Sequence, residues 1–202
     1  PETGKVVQTA ENKIKINGRV VIIAVLGLLE FMFLISFTTN ISMHLSGTLA
    51  GDAAASGNLT SIFSIAQIVI GLVLTSITRV TKKATLPVAM LSFVLGCILL
   101  IGFSSNFAVL CVGALLCGFS QGVFIPTAMV EVSNAVPPVA AAMASGVFTC
   151  GTCSGQLISP VVLNTAAGVV FGQVTTSGVY TVAAVGMTIS AVFCAAVMLK
   201  KR

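Results

Sequence analysis

The sequence predicts an all-α membrane protein with six transmembrane helices. Hydrophobic residues make up 56% of the chain and charged residues only 7%, against roughly 25% charged in a soluble domain. Each apolar run is close to the ~20 residues that a helix needs to span a bilayer. The runs are continuous rather than alternating, which excludes a β-barrel. They cover residues 20–45, 59–79, 86–103, 107–133, 139–163 and 179–199.

The first run contains one acid, Glu30, near its middle. Reading inward from Arg19 at about 1.5 Å per residue places Glu30 about 16 Å deep, close to the midplane of the hydrocarbon. A carboxylate there costs ~2.5–3.5 kcal/mol on insertion scales, so Glu30 is a candidate functional residue. The alternative is a neutral carboxyl group that is hydrogen-bonded to a neighbouring helix.

One face of the first helix combines this acid with aromatic and polar groups. Helical projection puts Phe33, Phe37 and His44 within about 60° of Glu30, and Asn40 about 80° away. Such a face suits a cavity for amphipathic or cationic solutes, because rings supply apolar area and the carboxyl group supplies charge or a proton. His44 lies too far along the axis to pair with Glu30 and is expected at the external interface.

The second run carries a narrow polar stripe, in which Ser64, Gln67, Gly71 and Thr78 follow at helical spacing. An amide at the depth of Gln67 needs a partner. Cavity lining and a hydrogen bond to another helix are equally open interpretations.

The fourth and fifth runs are rich in glycine, and each contains a proline, Pro126 and Pro160. Small residues permit close approach of helices, and a proline allows a kink. Two such spans suggest helices that rock or bend against partners, although plain packing explains each glycine by itself. The glycines are Gly113, Gly118, Gly122, Gly146, Gly151 and Gly155.

The chemistry-bearing residues do not point to an enzyme. One histidine and scattered acids form no catalytic constellation, and no metal site or cofactor is expected. All six cysteines lie in apolar runs, where they read as buried packing residues. Cys150 and Cys153 match a C-x-x-C motif, but redox chemistry there is disfavoured because it needs a partly exposed helix N-terminus.

The ten basic residues collect in three places that six spans put on one side of the membrane. By the positive-inside rule both termini are cytoplasmic, and the loops around Asp52, Asn106 and Gln173 are external. Nucleic-acid binding is disfavoured, because the basic residues cluster at span ends instead of being interleaved with aromatics. The three groups are Lys5, Lys13, Lys15 and Arg19; Arg79, Lys82 and Lys83; and Lys200, Lys201 and Arg202.

Glu131 lies at the cytoplasmic end of the fourth run. A pair with Arg79, Lys82 or Lys83 could close a cytoplasmic gate. The alternative is an interfacial acid that is solvated by water.

These features together resemble the C-terminal half of a major facilitator superfamily transporter. The similarity lies in the six spans, the Gly-rich fourth span that leads to Pro126, the EVSNAVPP segment, and the basic loop at 78–83. That loop is similar to the family motif Asp-Arg-x-Gly-Arg/Lys-Arg/Lys, with Thr78 at the Asp position and Thr81 at the Gly position. Residues 1–18 resemble the cytoplasmic linker between halves, followed by the membrane domain 19–199 and a cytoplasmic tail 200–202.

The resemblance implies two inverted three-helix repeats, a preceding six-helix half and alternating access around a midplane site. It places the first, second, fourth and fifth spans against the cavity. The solute pathway would then include Phe33, Phe37, Asn40, Gln67, Gln121 and Gln156.

The expected function is secondary transport of a small organic solute across the plasma membrane, coupled to protons through Glu30. The expected partners are the lipid bilayer, the solute, protons and the N-terminal half. Import and export, and symport and antiport, are all open. A six-helix membrane scaffold without a solute is the alternative; it would bury Glu30 against a fixed partner and need no cavity.

Overall fold

The computed structural model describes residues 17–46 and 53–199. The predicted linker up to residue 16, Asp52 and the basic tail from Lys200 to Arg202 lie outside the described residues. The described part is built from helices and short connections, so the predicted all-α membrane fold is confirmed.

Six long helices follow one another in the described residues. They are α1 Gly18–Ser46, α2 Ala53–Thr81, α3 Thr85–Gly102, α4 Phe107–Asn134, α5 Ala141–Phe171 and α6 Thr176–Leu199. In this part of the chain five helical stretches are long and apolar enough to cross a membrane, and one of them, Ala54–Gly102, covers nearly all of α2 together with α3. The 3₁₀ turn Lys82–Ala84 divides that run, with Lys82 at a φ of 49°.

The limits of two helices differ from the prediction. α2 begins at Ala53 and not at 59, and α5 ends at Phe171 and not at 163. The prediction followed apolar content, whereas small and polar residues continue both helices beyond their apolar part. Gly172, with a φ of 71°, ends α5 in the left-handed conformation that glycine adopts without strain.

Each helix runs opposite to the one before it, so the bundle has two distinct ends. We call one the charged end, because Arg19, Lys82, Lys83 and Glu131 surround a common pocket there. At the opposite end, His44 of α1 contacts Leu100 of α3 and Thr176 of α6. The charged end therefore contains the beginnings of α1, α3 and α5 and the ends of α2, α4 and α6.

The helices pack in a pattern with twofold character. α1 packs most extensively on α5, α2 packs on α4, and α3 lies against both α4 and α6, while α6 also contacts α1. Exchanging α1, α2 and α3 with α4, α5 and α6 maps these pairs onto one another. Because α1 and α4 start at opposite ends, the two three-helix units are inverted, as the resemblance implied. The largest side chains of the core are Phe37, Phe93, Phe124, Phe148 and Tyr180.

Glycines allow the two principal helix pairs to approach closely. A Cβ added at Gly118 of α4 would lie 2.5 Å from the carbonyl oxygen of Phe63 in α2. A Cβ at Gly155 of α5 would collide with the carbonyl oxygen of Leu28 in α1. Both pairs therefore need the backbone contact that small residues permit.

We expect Gly155→Ala to destabilise the bundle by about 1–3 kcal/mol, because backbone atoms of α1 cannot move aside as a flexible side chain would. Thermal unfolding of the purified protein in detergent measures the effect. Gly146→Ala is the matched control on the same helix, since a Cβ there meets nothing within 4 Å. Equal melting temperatures for the two variants would contradict this account of the α1–α5 contact.

Candidate functional site

The surfaces of the helices differ sharply in composition. The exposed side chains of α3 and α6 are all apolar, including Leu91, Leu95, Ile189 and Val192. Such surfaces match hydrocarbon, so these two helices are suited to face lipid. This agrees with the resemblance, which implied that the other four spans lie against the cavity.

The exposed face of α5 is polar by comparison. Thr149, Ser154, Gln156 and Asn164 are exposed on α5 beside apolar side chains such as Leu157, Val161 and Val169, and α5 is both the least apolar and the least buried of the spanning runs. Hydroxyl and amide groups in contact with lipid tails are costly. This face is therefore suited to contact protein or water, and Gln156 lies on it as the pathway prediction requires.

Two cysteines occupy the same exposed face of α5. Cys150 and Cys153 are exposed, whereas Cys97, Cys117 and Cys194 are buried. The expectation that all six cysteines are buried packing residues is wrong for this pair, because the helix face that carries them is left uncovered by the other five helices.

Glu30 is fully buried between α1 and α4. Ser120 Oγ of α4 donates a hydrogen bond to Glu30 Oε1 over 3.4 Å. Glu30 Oε2 has no hydrogen-bond partner among the residues that the structure describes. The carboxyl group thus has one long hydrogen bond and no cation beside it in the described chain, an arrangement that disfavours a charged carboxylate.

A second contact joins α1 and α4 at the charged end. Arg19 of α1 forms an ion pair and hydrogen bond with Glu131 of α4. Arg19 precedes Glu30 by eleven residues, and Glu131 follows Ser120 by eleven residues. Eleven residues are about three helical turns, so both contacts lie on one antiparallel seam between α1 and α4.

This seam was only partly predicted. The expected partners of Glu131 were Arg79, Lys82 and Lys83, but the ion pair found within the described chain is with Arg19. Arg79 is exposed at the end of α2. The sequence carried the signal as the matching eleven-residue spacings in the two helices, which become readable once the helices are known to be antiparallel neighbours.

The aromatic face of α1 packs against other helices of the described chain. Phe33 lies against Gly186 of α6, and the Phe37 ring lies 5.0 Å from the Phe63 ring of α2. The place of Phe33 and Phe37 in a solute pathway stays a prediction. The projection showed which residues share a face but not whether a neighbouring helix covers it.

His44 ties three helices together at the opposite end. Its Nε2 lies 3.0 Å from the carbonyl oxygen of Leu100, which can only accept, so Nε2 carries a hydrogen. Its Nδ1 lies 3.0 Å from Thr176 Oγ1, and the ring stands edge-on to Tyr180. His44 is thus buried at the end of the bundle opposite the charged end, and its position at the external interface stays a prediction.

A polar cleft opens between α1 and α2 at the opposite end. It has a volume of about 650 Å³, and hydroxyl groups of both helices line it. Asn40 lies near this end, with Nδ2 donating to the Ser36 carbonyl oxygen over 3.1 Å. The hydroxyl-bearing lining residues are Thr38, Ser42, Ser56, Thr60, Ser61 and Ser64.

Gln67 and Gln121 meet across the α2–α4 contact. Gln67 Nε2 donates to Gln121 Oε1 over 2.6 Å, and both side chains are half-buried. A carbon added at Gly122, next to Gln121, would lie 2.9 Å from the Gln67 carbonyl oxygen, so the backbones are also close. The interhelical hydrogen bond is thereby established, and partial exposure leaves the pair reachable from outside the bundle.

Both prolines lie inside helices. Pro126 interrupts α4 between Ser120 and Glu131, and Pro160 lies in α5 one residue after Ser159. Ser159 Oγ donates to the Met32 carbonyl oxygen of α1. Each proline removes one backbone hydrogen bond close to a contact with α1.

The sequence was also compared with known proteins. The profile of the Major Facilitator Superfamily matches residues 23–202, which is most of the chain. The chain belongs to the major facilitator superfamily. It is therefore a multi-pass membrane protein of a transporter family. A search of curated proteins finds no match to the sequence.

Replacing Gln67 or Gln121 of this family member by leucine should weaken the α2–α4 contact, because each single change leaves one half-buried amide without its partner. In a double-mutant cycle we expect a coupling energy of about 0.6–1.7 kcal/mol. Thermal or denaturant unfolding of the purified protein measures it. Gln156→Leu, on the exposed face of α5, is the control and should show no coupling to Gln121→Leu.

Charge reversal of Arg19 or Glu131 should each weaken the charged end, because like charges then face each other across the seam. We expect the exchanged double variant R19E/E131R to recover most of the stability, with a coupling of up to about 1 kcal/mol for a partly exposed pair. The comparison variant R79E/E131R should recover none. Recovery in that variant would instead favour the pairing first predicted from sequence.

Proposed function

We propose that the chain forms the C-terminal half of a proton-coupled carrier for a small organic solute. The observation that carries the proposal is the enclosed Glu30 carboxyl group, which has one 3.4 Å hydrogen bond from Ser120 and an unpartnered second oxygen. A carboxyl group in such a place is stable when neutral and requires water to become charged. Exposure to water on one side of the membrane would therefore release the proton.

The polar face of α5 supports the inference that the carrier has a second half. Contact of the polar groups on that face with hydrocarbon is costly, whereas the apolar faces of α3 and α6 can contact hydrocarbon without this cost. We infer that a preceding six-helix half covers the exposed sides of α5 and α2. The solute would bind between the halves, where Gln156 and the Gln67–Gln121 pair are within reach.

Alternating access supplies the coupling in this proposal. As the two halves rock, the α1–α5 and α2–α4 pairs shift along the α1–α4 seam inside this half and open it to water on one side, and Glu30 then loses its proton. Coupling requires that Glu30 be neutral in one of the two transitions of the cycle and charged in the other, so that one proton crosses for each solute; Glu30 would be neutral in the transition with solute in symport and in the return without solute in antiport. In this proposal the charged end lies on the cytoplasmic side of the plasma membrane, which its basic residues support.

The proposal predicts that Glu30→Gln abolishes uphill transport, because glutamine keeps the shape and a hydrogen-bonding group but cannot release a proton. A solute is first identified by screening uptake and drug resistance in cells that express the intact protein. In vesicles with a pH difference of one unit, one proton per solute supports about tenfold accumulation. Glu30→Gln should reduce this to none.

Two further measurements make that result specific. Solute exchange without a gradient should persist in Glu30→Gln, since the binding site is intact. Glu30→Asp retains a carboxyl group and should retain accumulation. Unchanged accumulation by Glu30→Gln across external pH would remove Glu30 from the coupling role.

A further inference from the structure

The charged end contains a pocket that the proposed transport mechanism does not use. Its volume is about 380 Å³, within the range of small-molecule sites. The walls come from the first residues of α1, the Lys82–Ala84 turn, the start of α3 and the ends of α4 and α6. None of its lining residues belongs to α5 or α2, the helices with exposed faces suited to the second half.

The rim of the pocket is positively charged. Arg19, Lys82 and Lys83 line it together with one acid, Glu131. Arg19 is shared with Glu131 through their ion pair, and both side chains are 34% exposed, so water still reaches them. Three cations facing one acid favour an anionic ligand.

The floor of the pocket is apolar and adjoins the surfaces of α3 and α6 that are suited to lipid. Ile22, Leu86 and Met198 contribute to it, and Leu91 and Val192 are exposed on the adjoining helices. A ligand with a charged head and an apolar tail fits this combination. A small soluble anion would leave the apolar wall unused.

One polar group that lines the pocket has no hydrogen-bond partner among the described residues. Thr127 lines the pocket, and its hydroxyl oxygen is buried without a hydrogen-bond partner in the described part of the chain. A buried hydroxyl group normally has a partner, and it can donate to a phosphate oxygen.

We propose that this pocket binds the phosphate headgroup of an anionic phospholipid, with its acyl chains along α3 and α6. Basic pockets between transmembrane helices recognise such headgroups. The phosphate would share Arg19 with Glu131 and so loosen the ion pair at the end of the α1–α4 seam. Anionic lipid would thereby regulate how readily that seam opens.

Native mass spectrometry of the intact protein in detergent tests the proposal. The probes are phosphatidylglycerol, phosphatidylcholine with the same acyl chains, and glycerol 3-phosphate. We expect retention of phosphatidylglycerol over phosphatidylcholine and no measurable retention of glycerol 3-phosphate. Equal retention of the two lipids would overturn the assignment, and comparable retention of glycerol 3-phosphate would show a soluble-anion site instead.

Substitutions of basic residues test whether the lipid binds in this pocket. The double variant K82Q/K83Q should weaken phosphatidylglycerol retention roughly 10- to 30-fold, since each basic residue near the headgroup contributes about fivefold. Arg79→Gln is the matched control, because Arg79 is a neighbouring exposed cation outside the pocket. An equal loss with Arg79→Gln would mean general surface attraction and would overturn the pocket assignment.

A variant that should gain affinity separates recognition from damage to the fold. Glu131→Gln removes the one acid among the described residues that line the pocket, so phosphatidylglycerol retention should rise by about fivefold. Weaker retention by Glu131→Gln would contradict the electrostatic account. Lipid retention is measured without solute or a pH difference, so its outcome does not depend on whether the proposed transport is correct.

Discussion

Contact between hydrocarbon and a helix face that carries hydroxyl and amide groups costs free energy. This constraint determines which sides of the bundle are suited to face lipid. α3 and α6 turn only apolar side chains outward, whereas α5 leaves Thr149, Gln156 and Asn164 exposed. The bundle thus has one side suited to lipid and another that calls for protein or water. This asymmetry is what a transporter-family bundle needs, and it gives a physical reason for the position of Gln156 on the side away from lipid.

The glycine contacts explain how the bundle can contain tightly packed helix pairs that still move relative to each other. α5 approaches α1 through Gly155, and α4 approaches α2 through Gly118, each over backbone atoms of the partner. The α1–α4 contact is different, because polar side chains make it at two separate points. Two tightly packed pairs can therefore shift as units along a seam that is held more weakly.

The sequence predicted the six spans and the packing role of the glycines, because hydropathy and small-residue spacing are local signals. It did not predict which face of α1 is covered, since Phe33 and Phe37 would look alike on a cavity wall and in a core. The partner of Glu131 depended on the antiparallel register of two helices distant in sequence. Thr149, Gln156 and Asn164 recur at helical spacing in the fifth run. The sequence alone does not show that the other helices leave this face exposed.

The two contacts of the α1–α4 seam have unequal sensitivity to water. Arg19 and Glu131 are both partly exposed, so their ion pair survives hydration at modest strength. Glu30 is fully enclosed, and in the proposed carrier hydration would change its charge. Because the two points lie about three turns apart on the same faces, a tilt that hydrates Glu30 would also strain the Arg19–Glu131 pair. In that proposal, a ligand that draws Arg19 away from Glu131 would lower the cost of the tilt without contacting Glu30, so that binding at the charged end would act on the proposed proton site from a distance.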